Sequence, residues 1–144
     1  TAQIEGTIRA VSQATRAKVH AALQRVAAGV AEAHGLSAEV MIEHGYPPTV
    51  NDEAAAATAL HLARHLTSAE RVVEAPNPIM GAEDFSYVLE QVPGAMVFLG
   101  ATPASADPAT AAPNHSNLVY FDEATMRTGV ATYAALAMAT LQHA

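Results

Sequence analysis

Two adjacent prolines, Pro47 and Pro48, constrain this chain more than any other feature. Each fixes φ near about −65° and lacks an N–H donor, so the backbone around them runs extended and cannot continue a sheet ladder. The segment 44–50, His-Gly-Tyr-Pro-Pro-Thr-Val, therefore reads as the crossing from one lobe to another.

Upstream of the crossing, the pattern changes period twice. Ile4, Gly6, Ile8 and Ala10 alternate with Glu5, Thr7 and Arg9, which predicts a strand over residues 4–10. Val19, Leu23, Val26, Val30 and Ala33 then recur at helical spacing, which predicts a helix over residues 12–33. Ser12 suits its N-cap and Gly35 its C-terminal stop. Ala38, Val40 and Ile42, opposed by Glu39 and Glu43, predict a second strand over 37–43. The first 45 residues thus read as β-α-β.

Downstream, Asn51 or Thr49 suits the cap of an alanine-rich helix over 52–66, with Asp52 and Glu53 in its first turn. A short strand is expected at 71–73, a loop at 76–81 and a short helix at 83–91. The apolar run 95–100, Ala-Met-Val-Phe-Leu-Gly, reads as a buried strand. A Pro/Ala/Ser/Thr loop at 102–114, a strand at 118–121 and a helix over 123–142 complete the chain. The expected fold class is α/β (α+β).

Composition narrows the function. Of 144 residues, 51% are hydrophobic and 15% charged, a mix that buries a core in one domain or two small lobes. No apolar run approaches the roughly 20 residues of a membrane span. The net charge is −7, and the seven Lys and Arg residues are scattered, so neither nucleic acid nor an anionic membrane is expected as a partner. There is no cysteine, so any metal must be held by His, Asp or Glu. The start at Thr1 lacks the pattern of a signal peptide and an initiator methionine; a processed chain, or a piece of a longer one, is expected.

Four groups of residues have chemistry to offer. His61 and His65 lie four apart on a predicted helix and can share one metal. No glutamate stands between them as in the helical zinc-protease motif, and a solvated helix face beside Arg64 gives the same pattern. Met80-Gly-Ala-Glu-Asp-Phe85 places Gly81 where backbone can approach a ligand. Its Glu83 and Asp84 lie at a helix start, where a substrate loop and an ordinary capped N-terminus look alike. His115 ends the long loop just before a strand and a capped helix, a rigid support for an imidazole; an exposed loop histidine reads the same way. Arg9 offers a guanidinium fork for a substrate carboxylate, or a partner for Glu5 on the same face.

Four ordered segments bear on these alternatives: Gly6-Thr-Ile-Arg-Ala10, Gly45-Tyr-Pro-Pro-Thr-Val-Asn-Asp52, Met80-Gly-Ala-Glu-Asp-Phe-Ser-Tyr87 and His115-Ser-Asn-Leu-Val-Tyr-Phe-Asp-Glu123. Together they resemble the hippurate hydrolase and N-acyl amino acid amidohydrolase branch of the aminoacylase–carboxypeptidase family of metallopeptidases. The resemblance covers nearly the whole chain. It implies a two-domain enzyme, with a two-metal α/β catalytic domain and an inserted ferredoxin-like lid that often dimerises. Residues 1–45 then correspond to the second half of the lid, and 46–144 to the C-terminal portion of the catalytic domain. His115 matches a metal ligand, Gly81 and Glu83 the loop lining the substrate cleft, and Arg9 a lid arginine that faces the substrate.

The other ligands and the catalytic glutamate of that family lie upstream of anything matched here. The resemblance therefore implies part of a cytoplasmic amidohydrolase, inactive alone. It implies a divalent metal, zinc first, with manganese, cobalt or nickel also suited to such ligands. Its expected partners are a small N-acyl amino acid, the missing N-terminal part of the same protein and a second copy of itself. An alternative of another class also stands: a non-catalytic, self-associating or binding module built on the β-α-β lobe.

Overall fold

Helices form where hydrogen bonds can close within a segment. In the computed structural model, which describes residues 1–142, α1 spans Gln13–Ala33, α2 Glu53–Leu66, α3 Ser86–Leu89 and α4 Met126–Gln142. Short 3-10 turns occupy Ala69–Arg71 and Glu123–Thr125.

Both ends of α1 follow the sequence. The Ser12 hydroxyl accepts a hydrogen bond from the Thr15 N–H at 3.1 Å and donates to the Thr15 hydroxyl at 2.9 Å. At the other end Gly35 takes φ 68°, a left-handed conformation that costs glycine little. The turn lets the Leu36 N–H reach the Ala31 carbonyl at 2.8 Å and the Gly35 N–H reach Glu32 at 3.0 Å. Two carbonyls that the helix would otherwise leave open are satisfied.

The expected strands are absent among the described residues. Segments 4–10, 37–43, 71–73, 95–100 and 118–121 form no ladder. The half ferredoxin-like lid, β-α-β over residues 1–45, is therefore not seen, and only its helix forms. The part from 46 onward is likewise helices, turns and extended chain rather than α/β. The physical reason is that a strand satisfies its backbone only on a neighbouring strand. Alternation along one segment says which side is apolar, not where a partner lies. Here Ile8, Ala10, Val40 and Ile42 are half-buried while Ile4 is 95% exposed, so the alternation marks a partly covered face without supplying a backbone partner. At the start of the 71–73 segment, Arg71 instead closes a 3-10 turn, its N–H reaching the Ser68 carbonyl at 3.1 Å.

The chain resolves into two compact units. One comprises Thr1–Asp52 and Ala75–Gly94. It is tied by side chains across long sequence separations: Gln13 Nε2 donates to Glu90 Oε1 at 2.8 Å, and Arg16 Nη2 to the Gly45 carbonyl at 2.6 Å. The Asp52 N–H closes on the Gly94 carbonyl at 2.9 Å. Pro47 and Ser86 are buried in this unit.

The other unit comprises Glu53–Glu74 and the chain from Ala95 onward. In it α2 packs against α4 around Ala59, which is 3% exposed. Gly129 on α4 lets Leu99 close in, since a Cβ there would stand 3.2 Å from Leu99 Cδ2.

Much apolar surface stays open. The accessible area is 11764 Å². Two self-contained monomers, each of half this 14.9 kDa mass, would together expose about 8,500 Å². Val19, Leu23, Val26 and Val30, the apolar stripe of α1, are each more than a third exposed.

Candidate functional site

The Arg9 side chain finds its partner far along the sequence. Its Nη1 donates to the Met80 carbonyl at 2.7 Å, across 71 residues. The first unit thus joins the Gly6–Ala10 segment to the Met80–Phe85 loop, and Arg9 with Gly81 through its neighbour. Among the described residues Arg9 forms no ion pair with Glu5, whose carboxylate instead accepts from Gln3 Nε2 at 2.7 Å. Arg9 remains exposed, with most of its five N–H donors open to an anion.

Gly81 is exposed, and a Cβ placed on it would meet nothing within 4 Å. No packing in the described residues requires glycine there, so the bare backbone borders open space. Glu83 is half-buried and organises the turn that follows. Its carboxylate accepts from the Phe85 N–H at 3.2 Å, and its carbonyl accepts from the Ser86 hydroxyl at 2.6 Å. These bonds delay the helix expected from residue 83, so α3 runs only over Ser86–Leu89. Tyr87 then meets Tyr46 edge-to-face with centroids 5.8 Å apart, tying this loop to the proline-containing segment.

His115 belongs to the other unit. It is exposed and takes φ 71°, the single non-glycine residue with positive φ among the described residues. The turn is defined: the Ser116 N–H reaches the Pro113 carbonyl at 3.1 Å, and the His115 N–H donates to Asn114 Oδ1 at 3.1 Å. For an L-residue this conformation costs about 1–2 kcal/mol. Such strain concentrates where a side chain is aimed for use. Nothing in the spacing of residues announces that geometry.

His61 and His65 do share a face of α2, with ring centroids 4.2 Å apart and tilted by 48°. His65 Nδ1 is engaged with the His61 carbonyl at 2.9 Å, and both residues are exposed. Among the described residues, no three His, Asp or Glu side chains gather as a metal-binding group. A pair of imidazoles at α2 and a single imidazole at 115 fall short of the ligands a structural or catalytic centre takes.

Sequence reading missed a second histidine pair. His20 on α1 meets His44 edge-to-face with centroids 4.8 Å apart, beside the bond from Arg16 to Gly45. Desolvation, then His44, then Arg16 hold the His20 imidazole below its usual range. Helical spacing from Arg16 to His20 places both on one face, but nothing local signals that His44 returns to it.

Comparison with known proteins sets this geometry in context. The model of peptidase family M20/M25/M40 matches residues 3–139. The chain belongs to that family. Among its curated relatives is thermostable carboxypeptidase 1 of Saccharolobus solfataricus, 33% identical over 138 residues, covering 95% of this chain and 34% of the relative. N-acetyldiaminopimelate deacetylase of Streptococcus thermophilus is 32% identical over 127 residues, 83% of this chain and 32% of that enzyme. The deacetylase of that name from Limosilactobacillus fermentum is 34% identical over 115 residues, 78% and 29% of the two chains. This M20 chain thus spans about a third of the length of the curated relatives it matches. No solved structure matches it.

Enzymes of the M20 family hydrolyse amide or peptide bonds and in general depend on divalent metal ions. The described residues of this chain do not make up such a metal centre by themselves. No helix among them is long and apolar enough to cross a membrane.

Proposed function

We propose that this chain is the C-terminal part of a metal-dependent amidohydrolase acting on the amide of an N-acyl amino acid or a similar small substrate, of the hippurate hydrolase type. Its domain boundary lies near residue 45, with 1–45 part of a lid or dimerisation lobe and 46–144 the C-terminal portion of the catalytic domain. The observation that carries the reading is the 2.7 Å bond from Arg9 to the Met80 carbonyl, which brings two of the four family-like segments into one site-sized neighbourhood.

In this reading Arg9, fixed through one Nη, presents its remaining donors to the substrate carboxylate. Gly81 leaves the loop backbone accessible, and the turn built by Glu83 fixes that loop on the substrate side. His115 supplies one imidazole to a divalent metal, zinc in the first instance, whose other ligands come from the upstream part of the protein. The metal's chemistry is to polarise the amide carbonyl and activate water. The contribution of these residues is binding and orientation. The enzyme is cytoplasmic, and its partners are the substrate, its own N-terminal part and a second copy.

The test is hydrolysis of N-benzoylglycine, read as released glycine. The 144-residue chain alone is expected to be inactive, and to gain activity when the upstream segment of the same protein is supplied with zinc or manganese. Full turnover by the chain alone, or none in the reconstituted pair, would overturn the reading.

The open apolar stripe of α1 favours a second reading, a self-associating module. A monomer at all concentrations in light scattering removes this alternative, and hydrolysis recovered with the upstream segment favours the enzyme over it.

A further inference from the structure

The second unit carries three of the chain's seven Lys and Arg residues: Arg64, Arg71 and Arg127. Two of these converge. Arg71 ends the 3-10 turn after α2, Arg127 stands in the first turn of α4, and both line a single cavity of about 400 Å³. They lie 56 positions apart in sequence, so the fold alone brings them together.

Neither guanidinium makes a side-chain hydrogen bond or ion pair among the described residues. Arginines on an acidic surface ordinarily find carboxylates, and this chain has a net charge of −7. The carboxylate that does line the cavity, Asp122, is already partly engaged. Its Oδ1 accepts from the Ala124 N–H at 2.9 Å as the cap of the Glu123–Thr125 turn. The Thr125 hydroxyl is also spent, donating to the Asp122 carbonyl at 2.7 Å. The half-buried Thr128 also lines the cavity, and its hydroxyl makes no hydrogen bond among the described residues. Two guanidiniums and a hydroxyl thus border one cavity with donors to spare and one partly engaged carboxylate against them.

We infer that this cavity binds a compact oxyanion, carried by a small molecule with a phosphate or carboxylate group, held between Arg71 and Arg127 with Thr128 as a further donor. The volume falls within the range of small-molecule sites. Guanidinium forks match the paired oxygens of both anion classes, and two on one cavity favour a doubly charged group over a singly charged one. The site uses none of Arg9, Gly81, Glu83 or His115, so it stands or falls apart from the amidohydrolase reading.

The test titrates the whole 144-residue chain with sodium phosphate and, separately, sodium acetate, against sodium chloride at matched ionic strength. Amide resonances of Arg127 and Thr128 are the readout. Saturable shifts with phosphate or acetate, absent with chloride, are expected, and the tighter anion assigns the class. Arg71→Gln and Arg127→Gln should each weaken binding about ten-fold, the loss of one charge-assisted contact. Both arginines are exposed, and unchanged Ala59 and Leu99 resonances verify that each variant folds. No saturable shift, the same shift with chloride, or wild-type affinity in both variants would overturn the inference.

Discussion

Ser86→Ala isolates what holds the Met80–Phe85 loop in shape. Ser86 is 0% exposed, and its hydroxyl donates to the Glu83 carbonyl at 2.6 Å. That carbonyl also accepts from the Ser86 N–H at 3.3 Å, so the substitution removes one bond without orphaning the acceptor. The expected loss is then that of a net hydrogen bond, about 1 kcal/mol, rather than the larger cost of a stranded buried group. With a urea slope of about 1–3 kcal/mol per molar, the midpoint falls by about 0.3–1 M. Urea unfolding followed through individual amide resonances is the right assay, because it reads each unit separately. Tyr87 and Glu90 should lose protection with the first unit while Val130 and Thr132 keep theirs. Ser86→Leu, which adds volume where none is free, should cost about 1–3 kcal/mol through overpacking. A midpoint unchanged by Ser86→Ala, or equal losses in both units, would refute this account of the turn.

Three further outcomes follow from the same contacts. Ser12→Ala removes the side-chain cap of α1 and should cost about 1 kcal/mol, read as reduced helical circular dichroism and faster amide exchange at Thr15. The His20 imidazole is held below its ordinary 6.5 when folded, so the unfolded chain takes up the proton first as pH falls. Stability of the first unit is therefore full above pH 6.5 and declines as pH drops from there through the folded value, and His20→Gln should flatten that step in urea midpoints measured at pH 8 and 5.5. Gly129→Ala gains about 1 kcal/mol of helix propensity, and exposed Leu99 can yield the few tenths of an ångström that a new methyl needs; a net rise in melting temperature is expected.

What could be read from the sequence divides along a physical line. α1, α2 and α4 were legible because their apolar spacing, caps and hydrogen bonds are all local. Ser12 and Gly35 mark the ends of α1 within a few residues of the bonds they make. The strands were not legible in this sense. Ile4 to Ala10 alternates correctly, yet no segment among the described residues pairs with it. The short helix after Gly81 shows the same limit in miniature. Acidic residues at 83 and 84 suggested a first turn, but the Glu83 side chain spends itself on the Phe85 N–H and moves the start to Ser86. Of the candidate site, Arg9 and its loop lay 71 residues apart, a separation that no spacing rule bridges. The motif made His115 a candidate, but its left-handed backbone could not be read there.

That backbone has a consequence for how position 115 tolerates change. The Pro113–Ser116 turn is closed by main-chain atoms and by Asn114, and the imidazole takes no part in it. Form and ring are thus separable. Glycine or asparagine at 115 would relax the turn while deleting the ring, whereas valine would strain it further. A chain that lost the histidine would keep, or even improve, the turn that carries it.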